Sequence, residues 1–218
     1  MKTYRVNNIF YSLQGEGHNT GRAAVFVRFA GCNLRCDFCD TEFDSYTEMT
    51  GEEIMAKVSS FTPPSGMAHG SSLLEGVGEA LPLIVLTGGE PTLQVGEDFV
   101  EMLHVHGYEV AMESNGTRPA PKNLDWLTVS PKDGEGFKPK GEWRLPDEMK
   151  IVFDENTDPE AFLTSPFTQH PSPKLYLQPC DTGDPERNRR ITAAAVDYIK
   201  RHPQWCLSLQ THKLIGIE

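Results

Sequence analysis

The sequence predicts an α/β fold on a mainly parallel sheet that closes only part of a barrel. Three observations lead there. Short runs rich in β-branched and aromatic residues recur along the whole chain with helical or loop stretches between them, the rhythm of strands joined by crossovers. The 218 residues, 38% hydrophobic and 23% charged, have a globular balance suited to a single core. A complete (β/α)8 barrel takes about 250 residues, and six or seven strands can be named here. A partial, open TIM barrel of the (β/α)6 type is therefore expected.

The elements follow in order. VNNIFYSLQ from Val6 reads as an extended lead-in segment, and Gly15, Gly17 and Gly21 suggest a turn back into the first strand, AVFVRF from Ala24. Thr50 with Glu53 makes a capping box ahead of Ile54, Val58 and Phe61 at helical spacing. The stretch from Thr62 to Pro82 is rich in Gly, Ser and Pro and reads as a surface insertion in one domain spanning 1–218. LIVLT from Leu83 is the second strand. Phe99, Val100 and Leu103 then mark a short helix that Gly107 can end in the left-handed conformation.

EVAME from Glu109, WLTVS from Trp126, MKIVF from Met149 and KLYLQ from Lys174 are the next strands. SPKDGEGFKPKGEW from Ser130 follows a strand directly, which makes it an active-site loop and not a linker. The best helix runs from Pro185 to about His202, capped by Asp184 and stopped by Pro203. Ile191, Ala194, Ala195, Tyr198 and Ile199 form its apolar stripe. CLSLQ from Cys206 is a candidate seventh strand. Cys180 and Cys206 read as small core hydrophobes.

Charge and composition exclude several function classes. Lys and Arg number 20 against 31 Asp and Glu, a formal net charge of -11, so a broad grip on nucleic-acid phosphates is not expected. No apolar run approaches the roughly 18 residues of a membrane span, and the N-terminal residues lack the apolar stretch of a signal peptide. A cytoplasmic protein is the expectation.

Five cysteines are an odd number, and Cys32, Cys36 and Cys39 fall within eight residues, which is no framework for secreted disulfides. Three soft thiolates on one loop after the first strand can converge on an iron-sulfur cluster. Three ligands leave one iron of a four-iron cubane open to an exogenous ligand, as a catalytic cluster requires. The alternative is a zinc site completed by Asp40, His18 or a distant cysteine, although structural zinc favours four enclosed ligands, usually in two pairs. The second motif, Thr87-Gly88-Gly89-Glu90-Pro91, ends the LIVL strand. Its glycines allow close backbone approach to a ligand, or it is an ordinary turn.

GCNLRCDFCDT resembles the CxxxCxxC signature of the radical S-adenosylmethionine (SAM) enzymes, with the aromatic Phe38 before the last cysteine. The GGEP run is similar to that family's motif for the methionine amino group. The resemblance implies a [4Fe-4S] cluster on Cys32, Cys36 and Cys39, with SAM on its open iron. It also implies cofactor contacts from Phe38, Gly89, Glu90, Glu113, Ser130, Lys132, Gln178 and Asp181. On the residues alone, Glu113 and Ser130 could equally terminate a strand and cap a helix.

Within that superfamily, IFYSLQGEG from Ile9, the Asp40-Thr41 pair and Thr211-His212-Lys213 resemble segments of the 7-carboxy-7-deazaguanine synthases. The implied reaction is a radical ring contraction of 6-carboxy-5,6,7,8-tetrahydropterin to 7-carboxy-7-deazaguanine with loss of ammonia, a lyase step in 7-deazapurine and queuosine biosynthesis. Leu13, Gln14, Gly15, Glu16, Arg28, Thr87 and the terminal Glu218 are the implied substrate contacts, and Thr41 the Mg²⁺ ligand. Gln14 and Glu16 suit the pterin edge, since a carboxylate accepts from paired N–H donors and an amide does both. Arg28 offers a fork for a carboxylate, or points to solvent from an alternating strand. His212 is either packed behind the site or part of it. The resemblance also implies a barrel with some helices trimmed, a reductant such as flavodoxin or ferredoxin, and a homodimer. A glycyl-radical-enzyme activase is a rival that the SLQGEG segment opposes. A non-catalytic Fe-S or zinc binding module is another, and it leaves GGEP unexplained.

Overall fold

A computed structural model describes residues 2–37, 39, 42, 44–61, 81–132, 143–163 and 173–218. Their strands form one sheet of nine, ordered β3-β1-β2-β4-β5-β6-β7-β8-β9. These are β1 (Thr3–Leu13), β2 (Ala23–Phe29), β3 (Thr47–Thr50), β4 (Leu83–Gly88), β5 (Val110–Ser114), β6 (Trp126–Val129), β7 (Glu148–Phe153), β8 (Lys174–Pro179) and β9 (Trp205–Leu207). From β2 through β9 the neighbours pair in parallel, while β1 runs antiparallel to both β2 and β3. The sheet is open, with β3 and β9 at its edges.

Helices α1 (Gly51–Ser59), α2 (Glu97–Val105), α3 (Glu160–Leu163), α4 (Pro185–Arg201) and α5 (Thr211–Ile215), with short 3-10 turns at Gly17–Asn19 and Pro91–Leu93, complete the described elements. The connection from β5 to β6, residues 115–125, contains no helix. That is one of the trimmed crossovers. Ile54, Met55 and Val58 of α1 and Phe99, Val100 and Leu103 of α2 are buried against Val25, Val27, Ile84 and Leu86 on the outer face of the sheet. A smaller cluster on the inner face joins Ala24, Leu83, Val85 and Ala111, with Phe26 and Trp126 packed on it. Burial on both faces explains why LIVL is continuously apolar.

The capping box of α1 is complete. Thr50 Oγ1 accepts from the Glu53 N–H at 3.2 Å, and the Glu53 carboxylate accepts from the Thr50 N–H at 2.7 Å. Thr50→Ala is expected to cost about 1 kcal/mol of unfolding free energy, read from the midpoint of a urea titration at unchanged slope. Asp184 caps α4 through the N–H groups of Glu186 and Arg187.

Several expectations change. The lead-in segment is a full strand, because β1 pairs with β2 from Val6 to Leu13 and with β3 from Thr3 to Val6. β3 is an edge strand too short and too polar to carry an alternating pattern, and it is held by pairing to Thr3–Val6. The seventh parallel strand ends at Leu207 and not at Gln210. Beyond it the chain leaves the sheet, with Ser208 buried between a Gln178 acceptor and the donating Gly17 N–H. Cys206 is exposed on that edge strand and is not a core residue, whereas Cys180 is half-buried against the main core. Residues 62–80 of the expected insertion and 133–142 of the loop after β6 lie outside the described residues.

Candidate active site

In a strand, alternate side chains share a face, and here the register turns that rule into a site. Arg28 of β2 lies level with Thr87 of β4, Glu113 of β5 with Thr128 of β6, and Thr128 with Glu148 of β7. Lys150 and Val152 continue the same face beside Tyr176 and Gln178. The inner face is thus apolar along the N-terminal halves of β2, β4 and β5 and polar towards their carboxyl ends, where open α/β sheets place ligands. A cavity of about 400 Å³ opens there, walled by Cys32, Cys36, Cys39, Arg28, Thr87, Glu113, Lys150, Gln178 and segments from both termini.

The cysteine loop and the GGEP turn are built against each other. Gly89 N–H donates to Phe29 O at 2.9 Å and Glu90 N–H to Gly31 O at 2.9 Å. A Cβ on Gly89 would stand 2.1 Å from Gly31 O, so only glycine lets the two backbones meet. Burial pushes the Cys36 thiol up, and the nearby Lys132 ammonium offsets this only in part. Among the described residues no three His, Cys, Asp or Glu side chains converge on a point as a single ion requires. The three thiols line the wall of a large cavity, which fits a bulky cluster with a cosubstrate better than an enclosed zinc ion.

Glu90 is not a cavity residue. Its carboxylate is fully buried and accepts from the Thr92 N–H (3.1 Å) and hydroxyl (2.7 Å), the Ser114 hydroxyl (2.9 Å) and the Asn115 N–H (2.7 Å). Those donors make the side chain a clamp between the end of β4 and the end of β5. Asn115 in turn points its amide at Asn33 Oδ1 (3.0 Å) and Cys32 Sγ (3.9 Å), tying the clamp to the cysteine loop.

The hairpin between β1 and β2 carries the SLQGEG residues, and the C-terminal segment holds it in place. Thr211 donates its N–H (3.0 Å) and hydroxyl (2.9 Å) to Gly15 O. A Cβ on Gly15 would lie 2.2 Å from His212 Nδ1, which explains a glycine between Gln14 and Glu16. Leu13, Gln14, Gly15, Glu16 and His212 all line the cavity. Gln14 donates to Glu113 at 2.9 Å, Gln210 donates to Glu16 at 3.0 Å, and the Lys150 ammonium bridges Glu16 and Glu113. Burial pushes the Glu16 carboxyl up, but Lys150 and the hydrogen bond from Gln210 together outweigh it and hold it below the ordinary carboxylate range.

The remaining expected residues are placed as follows. Arg28 does not point to solvent: it lies over the Phe10 ring at 4.8 Å and faces the cavity. Lys132 donates to the Ser130 hydroxyl at 2.9 Å, and both border the cavity. Gln178 is buried, accepting from Ser208 at 3.0 Å. Asp181 borders the cavity but is engaged by Lys213 at 2.9 Å, which with Gly183 and Asn188 lowers its carboxyl to about 2. Glu218 reaches the cavity rim, its main-chain oxygen accepting from Ser12 at 2.5 Å and its side chain from Asn8 at 2.9 Å. Phe38, Asp40 and Thr41 lie outside the described residues.

Lys150 and Gln210 are site residues that sequence reasoning does not pick out. A signal was present for Lys150: Glu148 and Lys150 sit two apart in an otherwise apolar strand, the period of a polar inner face. None marked Gln210, which was read as the last residue of a strand.

A partial parallel barrel with three thiols and a close-packed GGEP turn at its carboxyl edge is the architecture of a radical SAM enzyme, and residues 26–131 match the family model of the Radical SAM superfamily. The chain is 43% identical over 213 residues to the 7-carboxy-7-deazaguanine synthase of Bacteroides thetaiotaomicron, covering 98% of each. It is 42% identical over 226 residues to that of Bordetella pertussis, covering 98% of this chain and 99% of that protein. The chain belongs to the 7-carboxy-7-deazaguanine synthase family of radical SAM enzymes. The crystal structure of QueE from Escherichia coli superposes with a TM-score of 0.70 at 24% identity, covering 95% of this chain and 93% of that one, and supports the fold.

Proposed function

We propose that this chain converts 6-carboxy-5,6,7,8-tetrahydropterin to 7-carboxy-7-deazaguanine with loss of ammonia. The observation that carries this is the sharing of one cavity by the three cysteines and the Leu13–Glu16 segment. Cys32, Cys36 and Cys39 would hold the [4Fe-4S] cluster. When bound, the cluster and SAM would supply reductively generated radical chemistry directed at C6 of the pterin.

This chain's own residues bind and orient. Glu16, kept ionised by Lys150, accepts from the N–H groups of the pyrimidine ring. Arg28 is held against Phe10 with its fork turned to the substrate carboxylate. Thr87 stands level with Arg28 on the next strand, where its hydroxyl can share that carboxylate. Gly89, Glu113, Ser130 and Lys132 form the cofactor side, Glu113 reading the ribose, with Phe38, Gln178 and Asp181 bordering the nucleoside. Thr41 is the proposed protein ligand of Mg²⁺ on family resemblance, as are a flavodoxin or ferredoxin reductant, a homodimer and a cytoplasmic location. Among the described residues no helix is long and apolar enough to cross a membrane. The continuous sheet supports a single catalytic domain.

The test is anaerobic reconstitution of the cluster, then incubation with SAM, reductant, Mg²⁺ and the carboxytetrahydropterin. The expected products are a 7-deazapurine acid and ammonia with SAM regenerated, and absence of the deazapurine overturns the proposal.

A further inference from the structure

Lys150 is 3% exposed on the inner face of β7. An unpaired ammonium there would carry a penalty of several kcal/mol, and the partners that offset it come from opposite sides of the cavity. Its Nζ donates to Glu16 on the hairpin before β2 and, at 3.1 Å, to Glu113 at the end of β5. The second oxygen of Glu113 accepts from Gln14 at 2.9 Å, and Gln14 Oε1 accepts from the Glu16 N–H at 3.1 Å. These contacts close a ring: Lys150, Glu16, Gln14, Glu113 and back to Lys150. Burial alone pushes the Lys150 ammonium down, but Glu113 and Glu16 outweigh it, so the ammonium stays charged.

In the proposed function Gln14 and Glu16 face the pterin and Glu113 faces SAM, so one ammonium ties the two half-sites together. We propose that Lys150 is a positioning residue that couples them: a ligand engaging Glu16 further restrains the closed ring and with it Glu113, so the second ligand has less motion left to arrest. This rests on the proposed function.

The test is calorimetric titration of the cluster-loaded protein with SAM in the absence of reductant, with and without saturating carboxytetrahydropterin. The pterin is expected to tighten SAM binding about five- to hundredfold. Glu113→Gln should weaken pterin binding, and Glu16→Gln should weaken SAM binding, each by roughly fivefold or more. Lys150→Met should bring the linkage close to onefold, with Lys150→Arg restoring part of it. Equal SAM affinity with and without pterin overturns the inference, as does a linkage that persists in Lys150→Met, since ligand–ligand contact would then be its source. If Lys150→Met does not fold, the two glutamate variants decide: absence of either cross-effect overturns coupling through the ring. Product formation by the same wild-type preparation separates the cases. Deazapurine without linkage sinks this inference alone, whereas no deazapurine sinks the functional proposal.

Discussion

Cys36→Ala is expected to remove the iron-sulfur chromophore and reduce deazapurine formation to background while the protein stays folded. Cys36 sits on the loop after β2 with no helix or strand among the described residues beside it, and its backbone contact, accepting from the Cys39 N–H at 3.1 Å, does not need the sulfur. The change in unfolding free energy should stay below about 1 kcal/mol, because no large apolar surface is lost. Cluster assembly is different in kind. Burial favours the protonated Cys36 thiol, so its thiolate is drawn out by the metal itself. A cubane with two remaining ligands loses both the grip and the single open iron. Cys180 lines the same cavity after β8 and is the control, since Cys180→Ala should keep its full iron content. Iron analysis and visible absorbance of anaerobically reconstituted protein check both, and a Cys36→Ala protein that retains a four-iron spectrum and turnover would sink the ligand assignment.

Glu90→Ala is expected to lower the unfolding free energy by roughly 2–5 kcal/mol. Deleting the carboxylate leaves the N–H groups of Thr92 and Asn115 buried without their acceptor and frees the Ser114 and Thr92 hydroxyls. Water cannot easily compensate at a position with no solvent exposure. The clamp between β4 and β5 would slacken, and Asn115 would lose its hold beside Cys32. Glu90→Gln keeps the volume and one acceptor oxygen and should lie between wild type and alanine. Urea unfolding gives the order of the three proteins. Equal stability of Glu90→Ala and wild type would sink the clamp.

The parallel strands and the helices α1, α2 and α4 were legible because their signals are local. LIVL is apolar throughout since both its faces are covered, Thr50 and Glu53 cap α1 within one turn, and Asp184 with Pro185 opens α4. β3 and α5 were not legible because they are held by partners far along the chain, Thr3–Val6 for the first and Gly15 for the second. The site divides the same way. The cysteines, Gln14, Glu16, Arg28 and Glu113 could be named from their motifs, but the clamp that Glu90 makes with Ser114 and Asn115 could not.

The amino-acid order alone determined the type of chemistry. Three thiols at fixed spacing on one loop restrict the metal group whatever the distant chain does, and the glycines of GGEP and QGEG mark where backbones come close. Only the tertiary structure decided which charges meet. Lys150 faces Glu16 across 134 positions of sequence and Glu113 across 37, a pairing set by strand register and by a hairpin folding back under the sheet. Local propensity does not encode such contacts, because they arise where elements remote in the chain share one low-dielectric cavity.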